Sequence, residues 1–357
     1  LLAAGAALAL AFGRFSYGVL LPAIRNDLGI SNTLAGSLGT ANVGAYLAGA
    51  ILVGTATARF RLLAILRAGF ALSLSGLCLA AVSSGPWTLG MSLILTGVGG
   101  AFIWIPTPVI AASMVRPDQR PMAVALMSSG IGVGIVFTGQ LSGIVRSSLG
   151  DTSWRVVYQI QAGLGLLLVA AIVMLIRHHQ DQPSQTQTAV GGFTTFRQMR
   201  GWAPITFCYA SFGFMYLLVV AFLTTKLEDD NDWTGSRASL AFTLIGLAVI
   251  FGGPTFITIA KRTGSRKALM IAFTFWALLV LTVIPGWTVP TLIASIGIGL
   301  TFAGVPALVT VYIVENTTLN TYGPSYAAAT LAFGLAQVLS PQVGGYIADQ
   351  TGTFTPI

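Results

Sequence analysis

A guanidinium in the middle of an apolar stretch is the side chain of this sequence with the most chemistry in it. Arg14 sits inside L-L-A-A-G-A-A-L-A-L-A-F-G-R-F-S-Y-G-V-L-L-P, residues 1–22. An arginine at the centre of a membrane helix costs about 2.5–3.5 kcal/mol on insertion scales, so it requires a partner or a water-filled cavity. No Asp or Glu lies inside any apolar segment: Asp27 and Asp349 fall near one set of segment ends, and Asp118, Asp181 and Glu315 in or beside loops at the other. Two roles are open to Arg14. It can bond helix carbonyls or reach outward to water, or it can wait in a cavity for an anion. A planar guanidinium fork matches a carboxylate, and a fixed positive charge is completed by a negative guest. The second role points to a small organic anion, a carboxylate above all.

The side chains that could complete such a site are few. Tyr17 lies three residues from Arg14, one turn along the same α-helical face, where its hydroxyl would offer a second hydrogen bond. Asn42 and Tyr46 pair similarly on the next apolar segment. Tyr209, Phe212 and Tyr216 form a stripe further along, Trp104 and Phe302 sit beside Pro106 and Pro306, and Gln337 is polar at mid-depth. Each aromatic has packing as its alternative, and Gln337 an interhelical hydrogen bond. Together with Arg14 these ten are the candidate substrate-binding residues. Catalysis has no candidates: there is no intramembrane His, no paired carboxylates and no Cys/His arrangement. G-I-G-V-G from Gly130 lacks the preceding strand that a dinucleotide site needs. His178 and His179 have no further ligands near them, so neither a metal nor another cofactor is expected. Cys78 and Cys208 read as isolated core thiols within the third and seventh apolar segments.

The elements that must position these residues are membrane helices. Of 357 residues, 55% are hydrophobic and 8% charged, and the mean hydropathy is +0.82, too apolar for a soluble domain. At roughly 20 apolar residues per crossing, eleven spans are predicted: 1–24, 33–57, 62–82, 88–114, 122–145, 155–176, 202–225, 238–260, 268–285, 288–313 and 325–348. The 42 glycines fall within these runs, where small residues let helices approach closely. The chain opens on Leu1 inside an apolar run, which suggests a trimmed N-terminus rather than a signal peptide. A twelfth helix is expected beyond T-G-T-F-T-P-I.

Charge sets the expected orientation. With the N-terminus in the cytoplasm, the inner loops carry Arg59, Arg61, Arg67, Arg116, Arg120, Arg177, Arg197, Arg200, Lys261, Arg262, Arg266 and Lys267, against Arg25, Arg146, Arg155, Lys226 and Arg237 outside. The outer loops also hold the acidic run Glu228, Asp229, Asp230 and Asp232. The positive-inside rule therefore places the N-terminus inside. Because the basic residues are spread over short loops, the net charge of +8 does not indicate nucleic acid. The Gln/Thr-rich stretch 177–201 reads as a cytoplasmic linker. It separates an N-terminal six-helix bundle, residues 1–176, from a C-terminal bundle, residues 202–357.

The two bundles repeat one another. G-V-G-G-A-F-I-W-I-P-T-P-V from Gly97 aligns with G-I-G-L-T-F-A-G-V-P-A-L-V from Gly297. The same offset pairs Phe12 and Gly13 with Phe212 and Gly213, and Gln140 and Gly143 match Gln342 and Gly345 two residues later. A parallel repeat of this kind builds a site at the bilayer midplane between halves.

The run G-P-T-F-I-T-I-A-K-R-T-G-S-R-K-A-L, Gly253 to Leu269, resembles the signature between the second and third helices of each half in the major facilitator superfamily. Its first-half counterpart is G-T-A-T-A-R-F-R from Gly54. W-R-V-V-Y from Trp154 and G-L-A-Q-V-L-S-P-Q-V-G-G-Y-I-A-D-Q-T-G from Gly334 resemble that superfamily as well. F-G-R-F-S-Y-G-V-L-L-P from Phe12 resembles its YbfB/YjiJ branch. The resemblance implies an all-α membrane fold of two six-helix bundles related by a pseudo-two-fold axis, in a monomeric, multi-pass transporter of the inner (cytoplasmic) membrane. It implies a cytoplasmic gate at Ala58, Arg59, Lys261, Arg262, Gly264 and Arg266, although Ala58 and Lys261 occupy the usual aspartate positions, which weakens that gate. The expected function is secondary active transport of a small organic anion by alternating access, with a proton as a candidate companion. Export of lipophilic compounds, or a scaffold or sensor that kept the fold, are the alternatives.

Overall fold

The computed structural model describes residues 1–175 and 189–357. Arg177, His178, His179 and the first part of the expected linker lie outside the described residues. Every regular element among the described residues is a helix, the form in which a segment satisfies its own backbone N–H and C=O groups inside lipid. Among the described residues ten helices are long and apolar enough to cross a membrane: Leu2–Leu28, Asn32–Ala56, Leu62–Ala81, Pro86–Ser113, Met122–Leu149, Asp151–Leu175, Trp202–Asp229, Gly235–Thr263, Ser265–Val283 and Thr288–Glu315. They are spans one to ten, close to their expected bounds. The expected eleventh forms as the 33-residue helix Leu319–Thr351 but is more polar than the others. Its polarity is used in contacts: Gln337 and Gln342 accept from Arg14 and Ser37 of the first half, and Ser340 donates to the Phe214 carbonyl of span seven.

Equivalent helices begin in equivalent ways. The Ser31 side chain caps span two by accepting from the Leu34 N–H at 3.2 Å, and Thr234 caps span eight by accepting from the Arg237 N–H at 3.4 Å. Such caps satisfy donors that the first helical turn leaves free. The turn between spans eight and nine depends on Gly264, whose φ of +83° is a conformation that glycine adopts without a side-chain penalty.

Packing follows the sequence repeat. Within the first half spans two and three pack on span four, and within the second spans eight and nine pack on span ten. Between halves span two packs on eleven, five on eight and one on seven. Exchanging the halves turns span two into eight and eleven into five, so the first two interfaces are copies and the third lies on the axis. Approach there is close: a Cβ on Gly36 of span two would overlap the Pro341 carbonyl oxygen of span eleven.

Two sequence expectations change. The later part of the expected linker contains a helix, Ala189–Gln198, which packs against span eleven. Phe196 and Met199 are buried there, and that apolar pair gives the segment something to fold onto. Cys78 is exposed and Cys208 half-buried, so they are free thiols outside the packed core. Pro106 interrupts span four, whose helix stops at Trp104 and restarts at Pro106. Pro306 and Pro341 sit inside continuous helices.

Candidate substrate site

Span one is wound as a π-helix from Ala7 to Phe15, with Arg14 on its last turn. Wide turns of this kind recur at functional sites. Neighbours consolidate this one. The Ser16 hydroxyl donates to the Ala11 carbonyl five residues back, at 3.1 Å, and the Asn42 amide donates to the Gly13 carbonyl at 3.1 Å and the Leu93 carbonyl at 2.7 Å. Asn42 thereby ties spans one, two and four together, and its buried donors are spent within the first half rather than facing a guest. Tyr17 also departs from expectation. Its hydroxyl donates to the Ala35 carbonyl of span two at 2.8 Å, so that proton is spent within the first half. The α-helical rule that residues three apart share a face loses its basis where backbone bonds run five residues back.

Arg14 lies on the boundary between halves. Its Nη2 donates to Oε1 of Gln337 at 3.1 Å, and its guanidinium carbon lies 5.9 Å from the ring centres of both Phe15 and Tyr46, within cation–π range. Gln337 is itself buried. The Nε of Arg14 is buried without a hydrogen-bond partner. Among the described residues no carboxylate pairs with this cation.

Aromatic rings of the second half line up beside it. Tyr209 stacks on Phe333 at 4.4 Å and 19°, and Tyr216 lies at 16° to the same Phe333 ring. Phe302 stands edge-on to Tyr216 at 4.4 Å and edge-on to Phe15 at 5.7 Å. Phe212 stacks on Tyr216 at 5.9 Å and 17° and on its other side meets Trp276 at 5.2 Å and Phe273 at 6.2 Å on span nine, so it backs the row as packing. Trp104 is half-buried at the break in span four and packs on the small cluster of Ala6, Ala111 and Met127. The structure thus gathers Arg14, Tyr46, Tyr209, Tyr216, Phe302 and Gln337. Sequence reasoning missed Phe333 and Tyr326. Spacing held a signal for Phe333, which is four residues before Gln337 and so one turn away on the same helix.

The two ends of the molecule differ. At the acidic end the halves are clamped. Arg146, with its side chain 2% exposed, donates from both Nη atoms to Glu228 at 2.7 and 2.6 Å and from Nε to Asp151 at 2.7 Å. Arg25 donates to Asp229 at 3.0 Å. Asp349 at the end of span eleven accepts from the Asn32 and Thr33 N–H groups at 3.0 and 2.7 Å, a carboxylate placed on the N-terminus of span two, where the helix dipole favours it. In the sequence alone the acidic run carries only an orientation signal. At the opposite end Ala58, Arg59, Lys261, Arg262, Gly264 and Arg266 are exposed. Among the described residues those four basic side chains form no ion pair. Away from Arg14, an apolar groove of about 530 Å³ runs along spans seven and eleven past Phe207, Phe214, Met215 and Val343.

Two helical bundles related by a two-fold axis, with polar residues at mid-depth on their boundary, define a multi-pass membrane transporter. The chain belongs to the major facilitator superfamily, in the family described as "Uncharacterised MFS-type transporter YbfB", whose model matches residues 6–357. It is 25% identical over 357 residues to the uncharacterised MFS-type transporter YfhI of Bacillus subtilis (strain 168), covering 96% of this chain and 85% of that protein. The fold is similar to that of the nucleoside transporter NupG, with a TM-score of 0.80 at 16% identity over 98% of this chain and 91% of that one. It is also similar to a bacterial homologue of the human lysosomal transporter Spinster, solved inward-facing and unoccupied, with a TM-score of 0.77 at 17% identity over 98% of this chain and 82% of that one.

Proposed function

We propose that this transporter is a secondary active carrier of small organic anions, with Arg14 as the residue that pairs with the substrate carboxylate. The observation that carries the reading is a guanidinium on the boundary between halves whose hydrogen-bond partner among the described residues, Gln337, is neutral and whose Nε is buried without a partner. An anion arriving there completes an arrangement that otherwise holds an uncompensated charge. Arg stays protonated, so a proton that accompanies the anion travels on the substrate and not on this side chain.

The excess of basic residues in the loops at the Lys261 end supports an orientation with that end in the cytoplasm and the acidic end outside. In that orientation the clamp of Arg146, Glu228, Arg25, Asp229 and Asp349 closes the outer end, and the exposed Lys261 end faces inward. Alternating access requires the clamp to open when the other end closes. A carrier of lipophilic cations fits less well, because a fixed positive charge repels such a guest.

The test is thermal stabilisation of the purified protein by a panel of carboxylates, neutral solutes and lipophilic cations, since a ligand that binds the folded state raises its stability. Stabilisation by carboxylates that vanishes in Arg14→Gln supports the reading. Stabilisation by cations in both proteins would assign Arg14 to structure and favour export of lipophilic compounds.

A further inference from the structure

Beside Arg14 lies a wall of rings that an aliphatic anion would leave unused. Tyr209, Phe333 and Tyr216 share one orientation, with interplanar angles of 19° and 16° to Phe333. Phe302 closes the wall at its Arg14 side by standing edge-on to both Tyr216 and Phe15. Tyr209 and Tyr216 are buried, while Phe333, Phe302 and Tyr46 are half-buried. Tyr326 of span eleven lies close enough to Tyr46 and Tyr209 to interact with them electrostatically.

The hydroxyl groups of this set are unusual for their depth. Those of Tyr46, Tyr209, Tyr216 and Tyr326 make no hydrogen bond among the described residues. A buried phenol ordinarily finds a partner, as Tyr17 does. Four free hydroxyls, an unpartnered Arg14 Nε and a partly uncovered ring face therefore border the same region, and they differ in what they ask of a ligand. The guanidinium asks for a carboxylate, the ring face for a flat π-system, and the hydroxyls for polar ring substituents.

We infer that the substrate is a planar aromatic carboxylate, its carboxylate on Arg14 and its ring against the wall of Phe333 and Phe302. This rests on the anion reading of the site and narrows it. Offset or edge-to-face ring contacts add favourable energy beyond the area they bury, so an aromatic acid gains over a saturated one of equal size and charge.

Benzoate and cyclohexanecarboxylate carry the same charge on rings of similar size, one flat and aromatic, the other puckered and saturated. Titrating both calorimetrically into the detergent-purified full chain, its Phe333→Leu and Phe302→Leu variants and its Arg14→Gln variant separates the possibilities. Size-exclusion elution first confirms which variants are folded, and either leucine variant suffices. The expected result is benzoate binding about tenfold tighter than cyclohexanecarboxylate, a preference that shrinks to within about twofold in a leucine variant, and loss of both acids in Arg14→Gln. Equal binding of the two acids that still depends on Arg14 would overturn the aromatic assignment and leave the anion reading standing. Binding of neither acid, or binding indifferent to Arg14, would overturn both.

Discussion

Nη2 of Arg14 and Oε1 of Gln337 lie 3.1 Å apart and join residues separated by 323 positions in the chain. The bond bridges span one of the first half and span eleven of the second, with a cation on one side and a neutral amide on the other. Neutrality is the informative part. A carboxylate at residue 337 would neutralise Arg14 permanently, whereas an amide orients the guanidinium and leaves its charge available.

Gln337→Glu is therefore predicted to install a resident counter-ion. Charge-assisted hydrogen bonds contribute about 1.5–3 kcal/mol, so carboxylate affinity should fall at least tenfold while thermal stability is retained or rises. Calorimetric titration and a melting curve on the same preparation check both parts.

The clamp at the acidic end should be uneven in strength. Arg146 and Glu228 have side chains 2% and 12% exposed, and removing one partner of a buried pair costs about 3–5 kcal/mol. The Arg25–Asp229 pair is more open, at 16% and 28%, and such pairs contribute about 0–1 kcal/mol. Glu228→Ala should thus lower the melting temperature clearly and Asp229→Ala only slightly. Cysteine labelling at residue 31, at the start of span two, should rise more in the first variant.

Gly36→Val tests the closeness of spans two and eleven. With no room for a Cβ against the Pro341 carbonyl, the helices must separate, and labelling from the acidic end should increase even though no charge has changed. Unchanged labelling would mean that the contact is dispensable for closure.

Tyr17 and Tyr46 should separate structure from binding. Tyr17→Phe removes the hydrogen bond to Ala35 and should cost about 1 kcal/mol of stability with ligand affinity intact. Tyr46→Leu removes a ring near the Arg14 guanidinium and should weaken anion binding with little loss of stability. Melting curves and titrations on both variants decide.

The helices and their repeat were legible in the sequence because lipid permits few backbone arrangements and the apolar runs show directly where they lie. Arg14 was legible as the single basic residue at mid-depth, and Gln337 as a polar side chain at similar depth. Their partnership was not, since nothing local tells which of two distant helices will face each other. Asn42 and Tyr17 misled for a related reason. A polar side chain inside lipid must bond to something, and sequence shows the need without showing that a carbonyl on the next helix meets it. The π-helical turn at Arg14 was equally hidden, because residue propensities scarcely separate it from an α-helix. The clamp was half visible: opposite charges in loops at one end were on view, but their pairing across the halves required coordinates.

Whether Arg14 binds the transported anion is decided by flux. In proteoliposomes preloaded with unlabelled benzoate, radiolabelled benzoate should accumulate by counterflow through the native protein, and Arg14→Gln should reduce that uptake to the level of protein-free vesicles. Counterflow that persists unchanged in Arg14→Gln would contradict the claim and leave Arg14 as a structural bridge to Gln337.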